Sequence, residues 1–381
     1  MKIVIAPDSF KESLTALQVA QAIEQGFKQV FPDAQYDKVP MADGGEGTVQ
    51  AMVDATEGEI ISVEVSDPLG SKVNAFYGIL GSVANKPATA VIEMAAASGL
   101  HLVPRDQRNP LVTSSFGTGE LIKHALDRGI KHIILGLGGS ATNDAGTGMA
   151  QALGIKLLTA SGESIKAGGA GLSELATIDT SHAHPAIKDC HFEVACDVDN
   201  PLCGPRGASA IFGPQKGATA DMVEQLDIAL SHFSHIVTQE LKQDVSKSAG
   251  AGAAGGMGFG VMTFLQGQLR PGIELVIKTV GLEKYCQQAD LVITGEGRID
   301  GQTVFGKTPM GVLQVAQHYN VPTIGIAGSL GDNADAIVEQ GMTAIFPIIP
   351  GVASLDEVLA HATTNLINTS VNVARLIKLK L

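Results

Sequence analysis

Two stretches at opposite ends of this chain share one texture, and that restricts what it can fold into more than any other feature. Lys2 to Ala6 is a short apolar run bounded by Pro7. Thr15 and Gln18 then form a capping box ahead of Ala16, Val19, Ala20, Ile23 and Phe27, which recur at helical spacing. A second strand, Tyr36 to Pro40, leads into the glycine loop Ala42-Asp43-Gly44-Gly45-Glu46-Gly47-Thr48 and a helix carrying Val49, Met52 and Val53. After Tyr285 the pattern returns, with strands at Leu291 to Thr294, Thr323 to Ala327 and Ala344 to Phe346 and helical segments at Val312 to His318 and Ala334 to Glu339. Alternating strands and helices predict a parallel sheet. Between these ends, Glu59 to Val65, Val73 to Leu80 and Thr89 to Met94 read as an antiparallel meander, its last two strands separated by Gly81 to Pro87. At 381 residues the chain exceeds one ordinary core. The expected architecture is α/β in two domains: residues 1–58 with 285–381 as a discontinuous flavodoxin-like parallel-sheet domain, and 59–284 as an inserted mixed α/β domain.

Composition narrows the function classes. A net charge of −13 opposes nucleic-acid binding and leaves no basic stripe for an anionic membrane, and no apolar stretch is long enough to span one. The first residues lack a secretory leader's apolar region, so a cytoplasmic location is expected. Cys190, Cys196, Cys203 and Cys286 show no C-x-x-C pair, which argues against a zinc site or disulfide framework. With no Trp and four Tyr there are few platforms for base stacking, so small anionic ligands are the expected partners.

The candidate site residues lie where strands end. In open α/β sheets ligands bind beyond the carboxyl ends of the strands. That places Asp8 and Lys11 after the first strand, Asp43 after the second, and Glu296, Arg298 and Asp300 after Leu291 to Thr294, with Ser329 after the next. So many acidic groups in one crevice are costly unless a cation or phosphate chemistry uses them. The turn Gly136-Leu-Gly138-Gly139-Ser140-Ala141-Thr142-Asn143-Asp144-Ala145-Gly146 follows an apolar strand and precedes a helical pattern, so its backbone N–H groups and the helix start suit a phosphate. Gly136, Gly138 and Ala141 also fit a dinucleotide fingerprint, with Glu163 placed for a ribose; this keeps a nicotinamide-dependent dehydrogenase open. Gly301 to Thr308 satisfies the P-loop expression literally, but Gly295 to Asp300 intervene after the strand, and Thr308-Pro309 reads as a helix cap. Lys307 at that helix start suits an anion. Asp197 follows the strand Phe192 to Cys196, with Asp199, Arg206 and the stretch Phe212 to Gly217 beyond it.

Six pieces in this order resemble the bacterial glycerate kinases of the garK/glxK type, the glycerate kinase type-1 family, along the whole chain: Ala6 to Ser13, Ala42 to Thr48, Gly138 to Asp144, Phe212 to Gly217, Gly250 to Gly258 and Thr294 to Asp300. The resemblance implies phosphorylation of D-glycerate by ATP with Mg2+, usually at the 2-hydroxyl, and a restriction-endonuclease-like topology for the inserted domain. The 3-hydroxyl, or a sugar-acid sensor without catalysis, are the alternatives. Phosphoryl transfer asks for positioned reactants, neutralised charge and a proton acceptor. The expected assignments are Asp8, Lys11, Asp197 and Arg298 as catalytic groups, with Asp197 the general base and Lys11 and Arg298 clamps. Asp43 and Glu296 are the expected Mg2+ ligands, and Gly138, Gly139, Ser140, Thr142, Asn143 and Lys307 the expected ATP contacts. The oligomeric state is not legible.

Overall fold

The computed structural model describes residues 1–81 and 87–379, so most of the connection expected between the second and third meander strands lies outside the described residues. The chain forms two compact units. One comprises Met1–Asp43, Gln50–Gly58 and Ile273–Leu381, the other Gly44–Val49 and Glu59–Gly272.

The first unit is built on five parallel strands in the order Ala344–Pro347, Thr323–Ala327, Leu291–Thr294, Lys2–Ile5, Gln35–Lys38. The strand order reverses beside Lys2–Ile5, where Ile3 lies opposite Leu291 and Ile5 opposite Ile293; such a reversal opens a crevice at the carboxyl ends. Ile3, Ile5, Ile293 and Ile326 pack against Val19, Ile23 and Phe27 of the helix Ala16–Lys28, which starts at the expected capping box. Among the helices beyond the expected set are Leu355–Ala360 and Ala362–Lys378. The second crosses the first helix at Gly26, where a Cβ would stand 2.5 Å from that of Ser370, so only glycine admits the approach.

The second unit has a six-stranded mixed sheet, ordered Gln268–Arg270, His191–Ala195, His132–Gly136, Thr89–Glu93, Lys72–Ile79, Glu59–Ser66. Its last three strands are the antiparallel meander and its other neighbours pair in parallel. Ile133, Leu135, Phe192 and Val194 fill one face with Leu121 and Ile122 of Phe116–Asp127 and Phe233 and Val237 of Ala220–Leu241.

Local packing sets where the units divide. Ile273 and Ile277 lie against Gly311, where a Cβ would meet Ile273 at 2.3 Å, so the helix Gly272–Val280 goes with the first unit almost from its start. The segment Gly44–Val49 goes with the second because the buried carboxylate of Glu93 accepts N–H groups from Gly47, Thr48 and Val49. Glu93 therefore caps the helix Thr48–Thr56.

Candidate active site

In the first unit the carboxyl strand ends bring Asp8, Asp43 and Glu296 within electrostatic reach of one another. Asp8 accepts from Ser9 through N–H (2.6 Å) and Oγ (3.2 Å), and its other oxygen accepts the Thr308 hydroxyl at 2.7 Å. Burial, with the Asp43 charge second, still pushes its carboxyl up to about 6. Glu296 accepts the hydroxyl of the buried Thr303 at 2.7 Å and faces Lys307 Nζ at 3.6 Å. Burial nevertheless raises it to about 7, with the Asp8 and Asp43 charges adding to the rise. Asp8 and Glu296, both held back from ionising by burial and by neighbouring carboxylate charge, are groups whose charged forms a bound cation would favour.

Lys307 also lies 3.8 Å from Asp300, and Arg298 Nε is 3.5 Å from the same carboxylate. Arg298 thus joins the crevice through Asp300, its side chain 61% exposed. Lys11 is exposed on the loop after the first strand, its backbone beside Gly297. Ser329 meets this region through its backbone, its N–H donating to Gly297 O. Sequence reasoning missed the two threonines. Thr308 does not cap its helix: Lys307 occupies the cap position, and the Thr308 hydroxyl goes to Asp8. The P-loop expression is not realised, since the short ladder of Arg298–Ile299 with Ser329–Leu330 separates the strand from Gly301.

In the second unit the glycine-rich turn is held from several sides. Asp144, wholly buried, accepts from Ser115 N–H and Oγ, both at 2.8 Å, and from the N–H groups of Gly146 and Gly148. Burial pushes this carboxyl up and the four donors oppose the shift. The start of the helix Thr147–Ala152 is therefore already engaged by Asp144, which corrects the expectation that this helix end would receive a phosphate. Nor does a helix follow directly on Gly136 to Ala141, so the dinucleotide fingerprint has no structural counterpart. The hydroxyls of Thr113 and Ser115 bond Ala141 O and Asp144.

The stretch Gly250 to Gly260 closes on the same turn. Its helix, Ala253–Leu265, is interrupted at Ala254, Gly255 and Gly256, all at positive φ, and a Cβ on Gly255 would sit 2.0 Å from Thr142 O. Its glycines let one backbone reach another. Lys216, from Phe212 to Gly217, is buried with Nζ 2.6 Å from Thr142 O. Asn143 Nδ2 donates to Ser209 Oγ at 3.0 Å. Thr142 Oγ1 and Asn143 Oδ1 are buried without a hydrogen-bond partner among the described residues. Asp197, just past its strand, accepts the N–H of Gly272 at 2.9 Å, while Asp199 and Arg206 form an exposed ion pair.

One further group of metal-capable atoms lies at the amino ends of the strands, where His132, His191 and Glu193 come within 4.8 Å. Arg270 Nε stands 3.6 Å from Glu193 Oε1 and offsets that carboxylate's charge, so no metal is assigned there. Among the described residues no helix is long and apolar enough to cross a membrane.

Clustered carboxylates with a lysine and hydroxyl donors at the carboxyl ends of a parallel sheet give the class: an α/β protein with a crevice of the kind that suits a small ligand. Comparison with known proteins makes the class specific. Residues 3–378 match the model of the glycerate kinase family. The chain is 56% identical over 380 residues to the glycerate kinase of Haemophilus influenzae, covering 100% of both. It is 54% identical to the glycerate 2-kinase of Escherichia coli, covering 98% of this chain and 97% of that one. A crystal structure from Salmonella typhimurium LT2, ascribed to a glycerate kinase 2, matches with a TM-score of 0.92 at 56% identity, over 100% of this chain and 99% of that one. The chain belongs to the glycerate kinase family.

Proposed function

We propose that this chain transfers the terminal phosphoryl group of ATP to D-glycerate, at the 2-hydroxyl, giving 2-phosphoglycerate. The observation that carries the reading is the family match over residues 3–378, in a chain whose first unit gathers Asp8, Asp43 and Glu296 within electrostatic reach of one another. The position of transfer follows the name of the Escherichia coli relative. An all-oxygen donor set suits Mg2+, which favours carboxylates and retained water. Asp43 and Glu296 would hold it, directly or through water. Bound there, the ion would neutralise phosphate oxygens.

The chain's own groups do the remaining work. Lys307 and Lys11 present ammonium groups to the phosphates, and Arg298 clamps the glycerate carboxylate or the moving phosphoryl group. Asp8, fixed by Ser9 and Thr308, orients the crevice. Gly138, Gly139, Ser140, Thr142 and Asn143 offer the turn to ATP. Asp197 accepts the proton of the attacking hydroxyl. We adopt a flavodoxin-like assignment for the first unit, from its strand order, and a restriction-endonuclease-like one for the second, from the family resemblance. A cytoplasmic location accords with the proposed use of ATP.

Phosphorus NMR of a reaction containing D-glycerate, ATP and Mg2+ tests the reading, and the signal of 2-phosphoglycerate is expected. A 3-phosphoglycerate signal would correct the position of transfer, and nicotinamide reduction without ADP would sink the kinase reading. Asp197→Asn should keep ATP binding and lower kcat by about 10²-fold, the usual worth of general-base assistance. An unchanged kcat would return Asp197 to a structural role, its bond to Gly272 included.

A further inference from the structure

Lys216 ends the short turn Pro214–Lys216 and is 1% exposed. The next residue, Gly217, has a φ of +94°, and a Cβ there would meet Arg108 O at 2.3 Å, so the base of this side chain is pinned. The ammonium donates to the carbonyl of Thr142, and burial pushes its pKa down to about 7 against the attraction of Asp144. A buried ammonium is a poor way to gain stability, since a well-packed apolar side chain of similar volume generally does as well or better. Its use must lie in what the bond holds.

That bond holds a peptide plane. Because the peptide is planar and trans, a carbonyl drawn toward Lys216 turns the N–H of the next residue, Asn143, to the opposite side. Among the described residues the N–H groups of Thr142 and Asn143 donate to no protein acceptor, although both residues are 0% exposed. Buried backbone donors are almost always paired, so these two await a group that is not part of the chain. Thr142 Oγ1 is also buried and unpartnered. Gly255 blocks the carbonyl's other approach, packing so close that no side chain would fit.

We propose that Lys216 is a positioning residue for the phosphate donor: by fixing the Thr142 carbonyl it aims the Asn143 N–H at an ATP phosphate oxygen. The proposal rests on the reading that this turn receives ATP. Lys216→Met removes the donor at nearly constant length, and Lys216→Gln keeps a neutral donor. In Lys216→Met the KM for ATP should rise about tenfold, the effect of one misdirected hydrogen bond, with the KM for glycerate unchanged. Lys216→Gln should recover part of the loss. Amide hydrogen exchange with a non-hydrolysable ATP analogue at saturation supplies the readout besides activity. Wild type should show protection across 138–143, and Lys216→Met should lose it at Asn143.

Equal effects of Met and Gln, or a parallel rise in both KM values together with a lower melting temperature, would make Lys216 a purely structural group and overturn the proposal. If Lys216→Met does not fold, Lys216→Leu, which also lacks the donor, takes its place, and wild-type protection at Asn143 in that variant would overturn the proposal. If the wild-type segment shows no protection while ATP is turned over, the phosphate reading of the turn is itself wrong and the proposal falls with it.

Discussion

Glu296 shows what a single residue's surroundings do to its chemistry. Burial raises its carboxyl to about 7 despite the Thr303 hydroxyl and the nearby Lys307. A carboxyl with a higher pKa folded than unfolded binds more protons in the folded state, so its contribution is full below the unfolded value and is lost as pH rises through the folded one. In the metal-free protein that window runs from about 4.5 to about 7. Glu296→Gln, which cannot ionise, should therefore compare more favourably with wild type at pH 8 than at pH 4.5. Thermal melts in the presence of a chelator check this, and a constant difference across the window would show that Glu296 is not held back from ionising. Mg2+ should offset the same repulsion, so wild type should gain more from it at pH 8 than at pH 5.

At the level of elements, the interrupted helix around Gly255 is where backbone conformation and site geometry meet. Gly255 has a φ of +71° and leaves no room for a Cβ beside Thr142 O. Gly255→Ala should cost on the order of 2–3 kcal/mol, from left-handed strain plus displacement of the turn, and raise the KM for ATP. The capping box of the first helix is a contrasting case. Thr15 accepts the Gln18 N–H, and Gln18 returns a bond to the Thr15 N–H. Thr15→Ala should cost about 1 kcal/mol and leave kcat unchanged. Urea unfolding measures both costs, and steady-state kinetics should separate the variants.

For the whole molecule, two units each carry their own apolar core, and the first is assembled from both ends of the chain. A ligand that binds only the folded protein stabilises it by mass action, by about 2.7 kcal/mol at a hundredfold excess over Kd. ATP with Mg2+ should accordingly raise the melting temperature, whereas NAD at the same concentration should leave it unmoved. A shift with NAD alone would revive the dehydrogenase alternative, against the missing helix after Gly136 to Ala141.

What the amino-acid sequence determined by itself was local or periodic. The alternation that makes a parallel sheet, the meander, the Thr15 capping box and the rule that ligands gather beyond strand ends all act within a few residues or follow from strand direction. They singled out Asp8, Asp43 and Glu296, which the first unit brings together. Only the tertiary structure could show that Thr308 spends its hydroxyl on Asp8, three hundred positions away in the chain, instead of on its own helix. The same holds for Glu93, which caps a helix from another strand, and for the glycines of 250–260, which admit the turn at 142–146. Lys216 is the clearest case, because nothing in Phe212 to Gly217 reveals which carbonyl its ammonium will meet. Hydrogen bonds between residues far apart in sequence depend on how whole elements pack, and composition and spacing carry no record of that packing.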